Sequence, residues 1–489
     1  MCGVVGVIGS PDAAKETFLG LVALQHRGQD AAGILSYDGS FREVKNLGLV
    51  DHVFSREAVE SLTGDQAIGH TRYSTVGRGD RRDVQPLTLN YPYGVGIVHN
   101  GNIVNYHRIK ERLAQERKRI CLSSSDTEAM LNWLADELRG NSFDGLKVAV
   151  RSVFQNVKGS YSVVGLLADG GLFAFRDPNG LRPLVLGKKN GAFMVASESI
   201  ALQVNGYDLV RDIEPGELFM VSAQTGEAIY APVAAQSGLA PRALERRPCM
   251  FEWVYFASAE SEMESAPVYD ARLALGRQAA EQICEAVKAG LIKVDVVAPV
   301  PDTSRTAASS LAEELGLPYR ELLIKNRYIK RTFILGTDAE RTRAVDLKLN
   351  PVKSQIKGKH ILLVDDSIVR GTTSRKIVEL VRKAGAASVT FLSTCPPIRY
   401  PCFYGIDFPD QAELLAAQKS DGEIPALIGA DAVVYLEQSR LVRALEQSSQ
   451  GRVSRPCMAC LDGDYPADVS ESHRFTRMRQ LERKGGPAS

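Results

Sequence analysis

Hydrophobic positions change their rhythm part-way along this chain. Over roughly the first 235 residues the apolar runs are short and broken by glycine, and 4–8, 31–36, 67–72, 95–98, 162–167 and 172–176 each read as a strand. Two stretches, 15–24 and 127–138, show helical recurrence instead. Strands and helices in runs, without regular alternation, predict layered α+β packing. A segment rich in Ala, Pro and Arg, 235–247, reads as a crossing between domains. After it helix and strand alternate: helix 271–289, strand 294–299, helix 306–315, then a strand ending at Val364, helical recurrence of Ile377, Leu380, Val381 and Ala384, and strand 388–393. That order predicts a doubly wound parallel sheet. The expected domains are 1–235 and 236–469, with a disordered tail over 470–489.

The most informative stretch is Ile361-Leu362-Leu363-Val364 followed by Asp365, Asp366 and Ser367, then Arg370, Gly371, Thr372, Thr373 and Ser374. Four apolar residues in a row fit a strand buried on both faces, so the polar loop lies at its carboxyl end, where open α/β sheets bind ligands. Gly371 lets backbone N–H groups close on an anion, the hydroxyls add donors, and the following helix points its positive end there. The two carboxylates would repel phosphate but accept well from vicinal hydroxyls, so a ribose 5-phosphate fits. Two other readings are an ordinary strand-ending turn and a Walker B strand; no G-x-x-x-x-G-K-[ST] accompanies it.

Val364 to Thr373 resembles the phosphoribosyl pyrophosphate (PRPP) motif of type I phosphoribosyltransferases. That resemblance implies that Asp365, Asp366, Ser367, Arg370, Gly371, Thr372 and Thr373 bind PRPP, and that Asp302, Thr303 and Ser304 meet its pyrophosphate. Mg²⁺ is expected near Asp365, Asp366 and Ser304, since a hard cation chooses oxygen ligands. From Lys325 to Lys348 there are seven Lys or Arg against three Asp or Glu. The stretch reads either as a solvated or nucleic-acid-binding face or, as the resemblance implies, as a lid closing on PRPP with Lys325 and Arg327. Ile329-Lys330 stands where relatives often have Val-Gly, which bears on where such a lid hinges.

Net charge adds little: 59 Lys+Arg against 58 Asp+Glu in 489 residues leave +1, so no global field favours nucleic acid or membrane. No apolar run approaches the ~20 residues of a membrane span, the start has no positively charged leader segment, and a cytoplasmic location is expected. Cys2 changes the picture more. Removal of Met1 would give this residue both a thiol and an α-amine able to act as its base, although a small buried apolar residue is the plainer reading. Around it stand Gln25 to Gly33, Gly69 to Thr75, His99 to Asn102 and Ser124 to Glu128, which look like class II glutamine amidotransferase motifs. The resemblance implies an N-terminal-nucleophile hydrolase domain of four αββα layers. In it Cys2 would attack the glutamine amide, with Asn100 and Gly101 as oxyanion hole, Arg72 on the α-carboxylate and Asp126 on the α-ammonium. Asn100-Gly101 also reads as a type I′ hairpin turn. Arg176 to Leu184 looks like the same family, but no chemistry is assigned to it.

Eight cysteines are too few for a disulfide scaffold in so long a chain. Cys457 and Cys460 form a C-x-x-C; with Cys249 and Cys402 they resemble the iron–sulfur subset of the glutamine phosphoribosylpyrophosphate amidotransferases. By count, four thiolates suit a [4Fe–4S] cluster or zinc, and Cys395 rivals Cys402 as the fourth ligand. The whole resemblance implies a two-site enzyme making 5-phosphoribosylamine from PRPP and glutamine, the opening step of purine synthesis. Its expected partners are purine nucleotide inhibitors and further copies of the chain, as a dimer or tetramer. Two alternatives are glucosamine-6-phosphate synthase, which needs no PRPP motif, and a PRPP-sensing regulator without catalysis.

Overall fold

A computed structural model describes residues 1–76, 79–325, 349–408 and 410–483. The first half contains two antiparallel sheets. One orders its seven strands as Asp208–Asp212, Val185–Lys189, Ala192–Ala196, Gly3–Ile8, Gln66–Arg72, Ala31–Tyr37 and Phe41–Leu47. The other runs Ala228–Ala231, Leu218–Ser222, Gly171–Arg176, Gly159–Leu167, Val95–Ile103 and Leu87–Leu89. Side chains alternate across a strand, so Val4, Ile68, Val98, Val164 and Leu172 fill the space between the sheets. Their neighbours Val5, Val7 and Ile34 face outward under helix Ala13–Ala23. On the far side Ile97, Val163 and Phe175 pack with Trp133 and Phe154 of helices Asp126–Glu137 and Phe143–Asn156. The layers are therefore αββα, as expected.

The second half is a four-stranded parallel sheet, Val296–Pro299, His360–Asp365, Ser388–Ser393 and Ala432–Tyr435 in that order. Successive residues serve opposite cores. Val297, Leu362 and Val364 pack with helices Val268–Lys288 and Arg305–Leu315, whereas Ile361 and Leu363 pack with Ile377, Val378 and Val381. The uninterrupted apolar run 361–364 is the signature of this two-sided burial. Every predicted element reappears with ends shifted by a few residues, and Ser388–Ser393 without any shift.

Two expectations are corrected. Asn100-Gly101 is no hairpin turn but lies inside strand Val95–Ile103, paired with Ser162 and Tyr161. The local Asn-Gly signal yields because the neighbouring strand runs in register with it along the whole of 95–103. Within the tail expected to be disordered, helix Ser472–Arg483 forms instead, and 484–489 lie outside the described residues. One apolar side chain anchors it: Phe475 is 1% exposed, edge-on to Tyr106 and Phe403 at 6.2 and 6.3 Å, and Arg474 pairs with Glu111 at 3.1 Å. Phe475→Ala should cost about 3 kcal/mol locally and release this helix. Amide exchange over 472–483 should then accelerate while the three large sheets stay protected; unchanged exchange there would refute the anchoring.

Candidate active sites

Cys2 stands just before the central strand Gly3–Ile8 of the first sheet, so its backbone is held by ladder bonds from the next residue on. Its N–H donates to Asn100 Oδ1 at 3.1 Å, and its Sγ lies 3.8 Å from Tyr73 O. Asn100 Nδ2 is buried without a hydrogen-bond partner among the described residues. The same strand offers a second donor. Tyr161, opposite Gly101, spends its N–H and C=O on Asp177 (3.2 and 2.8 Å), which leaves Gly101 N–H outside that ladder. Only glycine fits there: φ is +145°, and a Cβ would come 2.0 Å from Ser160 O. An unpaired buried amide N–H₂ beside a backbone N–H is what an oxyanion hole requires.

Arg72 and Asp126 line the same small pocket as Cys2, Tyr73, Gly101 and Ser125. Arg72 gives Nη2 to Val76 O at 2.9 Å and approaches Asp83 at 3.6 Å, while its buried Nη1 has no hydrogen-bond partner among the described residues. Asp126 opens helix Asp126–Glu137 and accepts from Ile103 N at 2.9 Å. The pocket encloses about 20 Å³, so a glutamine side chain needs its walls to part.

The second site is a cleft of about 850 Å³ at the carboxyl ends of the parallel strands. Asp302, Thr303, Lys325, Asp365, Asp366, Ser367, Arg370, Gly371, Thr372 and Thr373 all line it. Gly371, at φ +74°, caps the N-terminus of helix Thr372–Lys383, the arrangement that suits a phosphate. Lys325 pairs with Asp302 at 2.5 Å and Arg370 with Glu413 at 3.0 Å. Burial, and then the Asp366 charge, push Asp365 well above the usual carboxylate range; burial raises Asp366 to about 6. Ser304 is a correction. It is 2% exposed and its hydroxyl donates to Val300 O, closing the turn into helix Arg305–Leu315, so it does not line the cleft. Arg327 and the rest of the expected lid, 326–348, lie outside the described residues.

The two sites adjoin. His26, Arg27, Gln29 and Tyr73, all from the first half, form one wall of the cleft, and Tyr73 also lines the Cys2 pocket. Two family models match in this order, a glutamine amidotransferase domain over residues 70–204 and a phosphoribosyl transferase domain over 268–399. Amidophosphoribosyltransferase of Haemophilus influenzae is 40% identical, covering 97% of this chain and 94% of its own. That of Saccharomyces cerevisiae is also 40% identical, with 99% and 95% covered. The chain belongs to the amidophosphoribosyltransferase family. Solved relatives agree: the glutamine PRPP amidotransferase from B. subtilis complexed with ADP and GMP has TM-score 0.85 at 36% identity, covering 96% of this chain and 98% of that one. A structure described as the allosteric regulatory enzyme of purine biosynthesis has TM-score 0.87 at 34% identity, with 100% and 99% covered. This amidophosphoribosyltransferase-family chain is thus a glutamine-dependent enzyme, an N-terminal-nucleophile domain joined to a phosphoribosyltransferase domain.

Cys249, Cys402, Cys457 and Cys460 are all buried, and tertiary bonds gather them from three segments. Cys249 and Cys457 are bridge partners, and Cys460 O accepts from Arg399 N and Tyr400 N. Burial raises Cys249 to about 11 and lifts Cys457 and Cys460 further, with the neighbouring thiols adding to each. Arg182 offsets part of this for Cys249 and Cys457. In number and burial these thiols are what a four-thiolate metal group takes. Cys395, the rival ligand, also adjoins Cys249 and Cys460. Among the described residues, however, no group of three or more His, Cys, Asp or Glu side chains is arranged to hold a metal ion.

Several residues of these sites carried no role in the sequence reading. Arg27 and Arg182 lie within motif-like stretches, but nothing local says that each is buried. Of their partners, Glu198 lies outside every motif named, and Glu252 lies in the motif-like stretch around Cys249 without a role assigned to it.

The carboxylate pair has a stability consequence. Asp366 is raised from about 3.9 unfolded to about 6 folded, so its contribution is complete below about pH 4 and is lost as pH rises through 6. In ligand-free protein without divalent cations, Asp366→Asn should raise stability at pH 8 by on the order of 1 kcal/mol, a figure kept low because the side chain is only partly buried. The gain should fade towards pH 4 in denaturant titrations. Equal stability of the two proteins at pH 8 would contradict this.

Proposed function

We propose that this chain hydrolyses glutamine at Cys2 and passes the ammonia to PRPP in the neighbouring cleft, yielding 5-phosphoribosylamine, glutamate and pyrophosphate. The observation that carries this reading is the shared wall: Tyr73 lines both the nucleophile pocket and the anion cleft. Ammonia released into bulk water would be protonated, so adjoining sites favour direct transfer.

At the first site the thiolate of Cys2 adds to the side-chain amide carbon of glutamine. Asn100 Nδ2 and Gly101 N–H receive the oxygen as it gains charge. Collapse expels ammonia and leaves a thioester, which water cleaves to glutamate. The base is the Cys2 α-amine once Met1 is removed. Arg72 Nη1, without a hydrogen-bond partner among the described residues, receives the α-carboxylate and Asp126 the α-ammonium.

At the second site Gly371, Thr372 and Thr373 receive the 5-phosphate and Asp365 and Asp366 the ribose hydroxyls. Asp302, Thr303, Lys325 and Arg370 face the pyrophosphate side. Ammonia then bonds to C1 as the C1–O bond to pyrophosphate breaks. Mg²⁺ near Asp365 and Asp366 would neutralise charge on the departing pyrophosphate. A [4Fe–4S] cluster on Cys249, Cys402, Cys457 and Cys460 would be structural, since neither reaction transfers electrons. We infer purine nucleotide inhibition from the ADP and GMP of the B. subtilis relative. Homo-oligomerisation and a cytoplasmic location complete the proposal; among the described residues no helix is long and apolar enough to cross a membrane.

Cys2→Ala should abolish glutamine-dependent synthesis at least 10³-fold, on the scale of losing an activated nucleophile, while synthesis from added ammonia stays within about twofold. Parallel loss of both activities in folded protein would refute the two-site assignment. Anaerobically purified protein should contain about four irons per chain by the cluster's stoichiometry. Cys457→Ser should lose both iron and stability, whereas stoichiometric zinc without iron would exclude the cluster.

A further inference from the structure

Four charged side chains are removed from water where the two halves meet. Arg27 and Arg182 are 1% and 0% exposed, Glu198 and Glu252 0% and 1%. Arg27 Nε donates to Cys2 O at 3.0 Å. Its Nη2 donates to both oxygens of Glu252, at 3.1 and 3.0 Å, and its Nη1 pairs with Glu198. Glu252 also receives Arg182 Nη1 at 3.4 Å, while Arg182 Nε donates to Tyr404 O at 2.8 Å. Glu198 Oε2 accepts from Ser258 N at 2.9 Å and Ser261 Oγ at 2.7 Å.

Stability alone is a weak reason for such a network, because desolvation of several kcal/mol per ion cancels most of the attraction. Geometry is a better one. A guanidinium is planar and rigid, so carboxylates holding two of its nitrogens fix the direction of the third. That third nitrogen holds the carbonyl of the nucleophile's own residue. Glu252 begins the single wide turn Glu252–Phe256, of which Tyr255 and Phe256, with the preceding Phe251, line the cleft. Turns of this kind are often found at functional sites.

We propose that Glu252, a residue of the second half, is a positioning residue for glutamine hydrolysis in the first. Through Arg27 it orients the Cys2 carbonyl, and hence the thiol, against the oxyanion donors. A shift of the cleft wall on PRPP binding reaches the nucleophile through this pair. Misplacement by about 1 Å is enough to cost 10²-fold in rate, so the connection need not be large to act as a control. Arg182 attaches the same carboxylate to Tyr404 O, two residues beyond Cys402, so the thiol-bearing loop sets the other end of the relay.

The inference rests on Cys2 being the nucleophile, and its test is separable from that reading. In Glu252→Gln, kcat for PRPP-stimulated glutamine hydrolysis should fall about 10-fold or more. KM for glutamine should stay within twofold, because Arg72 and Asp126 are untouched, and ammonia-dependent synthesis should stay within twofold. Alkylation of Cys2 by a chloroketone analogue of glutamine should slow in parallel with kcat. Glu252→Asp retains the charge, so it guards against a folding failure, yet withdraws the carboxylate by one methylene and should show the same split. Full kcat in either folded variant, or equal loss of hydrolysis and ammonia-dependent synthesis, would overturn the proposal. Cys2→Ala retaining glutamine-dependent synthesis would instead remove the reading beneath it.

Discussion

Charge withdrawn from water has to be matched by nearby charge, and in this protein that requirement joins the two halves. Arg27 and Arg182 come from the first half, and neither guanidinium can lose its proton to escape the cost of burial. Their partners are Glu198 on the same side and Glu252 across the junction, with the Cys2 and Tyr404 carbonyls completing the shell. A displaced half would leave buried ions unpaired, at several kcal/mol each. The relative placement of the halves is therefore set sharply, and the closeness of the Cys2 pocket to the cleft follows from it.

Each half presents its chemistry where a strand pattern ends or is relaxed. In the first, Gly101 adopts a conformation closed to other residues, opposite a Tyr161 whose backbone is already occupied by Asp177. Antiparallel pairing turns alternate N–H groups away from the partner strand, and Gly101 N–H is one of them. In the second, the parallel strand His360–Asp365 stops at two carboxylates, and the chain turns through Gly371 into a helix N-terminus. The carboxylates repel each other and are partly desolvated, so the unliganded cleft is less stable than it could be. A bound cation or ribose hydroxyls would relieve that cost, which is how a binding site holds free energy in reserve.

Much of this was legible in the residues. Runs such as 361–364 fit a strand with both faces covered, and the short glycine-broken runs of the first half fit strands that stack as sheets. The chemistry at strand ends was equally local: Asp365 to Thr373 and the surroundings of Cys2 carry their donors and acceptors in order along the chain. Where a local signal competed with a tertiary one, the tertiary one prevailed. Asn100-Gly101 has the composition of a turn but was drawn into a nine-residue strand by its neighbour. The tail has the composition of a solvated segment, yet one phenylalanine reaching the cleft between Tyr106 and Phe403 was enough to order a helix. Ser304 looked like a ligand residue, and its hydroxyl was taken by the turn that presents its neighbours.

By itself, then, the sequence determined the main strands and helices of both halves, the two domain types and the residues able to do chemistry, because periodicity and functional-group order are properties of neighbours along the chain. Only the tertiary structure decided which of those residues meet. Cys2, Arg27, Glu198, Glu252 and Tyr404 are separated by up to hundreds of positions, and their contact depends on the summed geometry of every strand and helix between them. A buried ion pair leaves no periodic trace: an Arg and a Glu far apart in a chain look like any two surface charges until folding removes the water from around both.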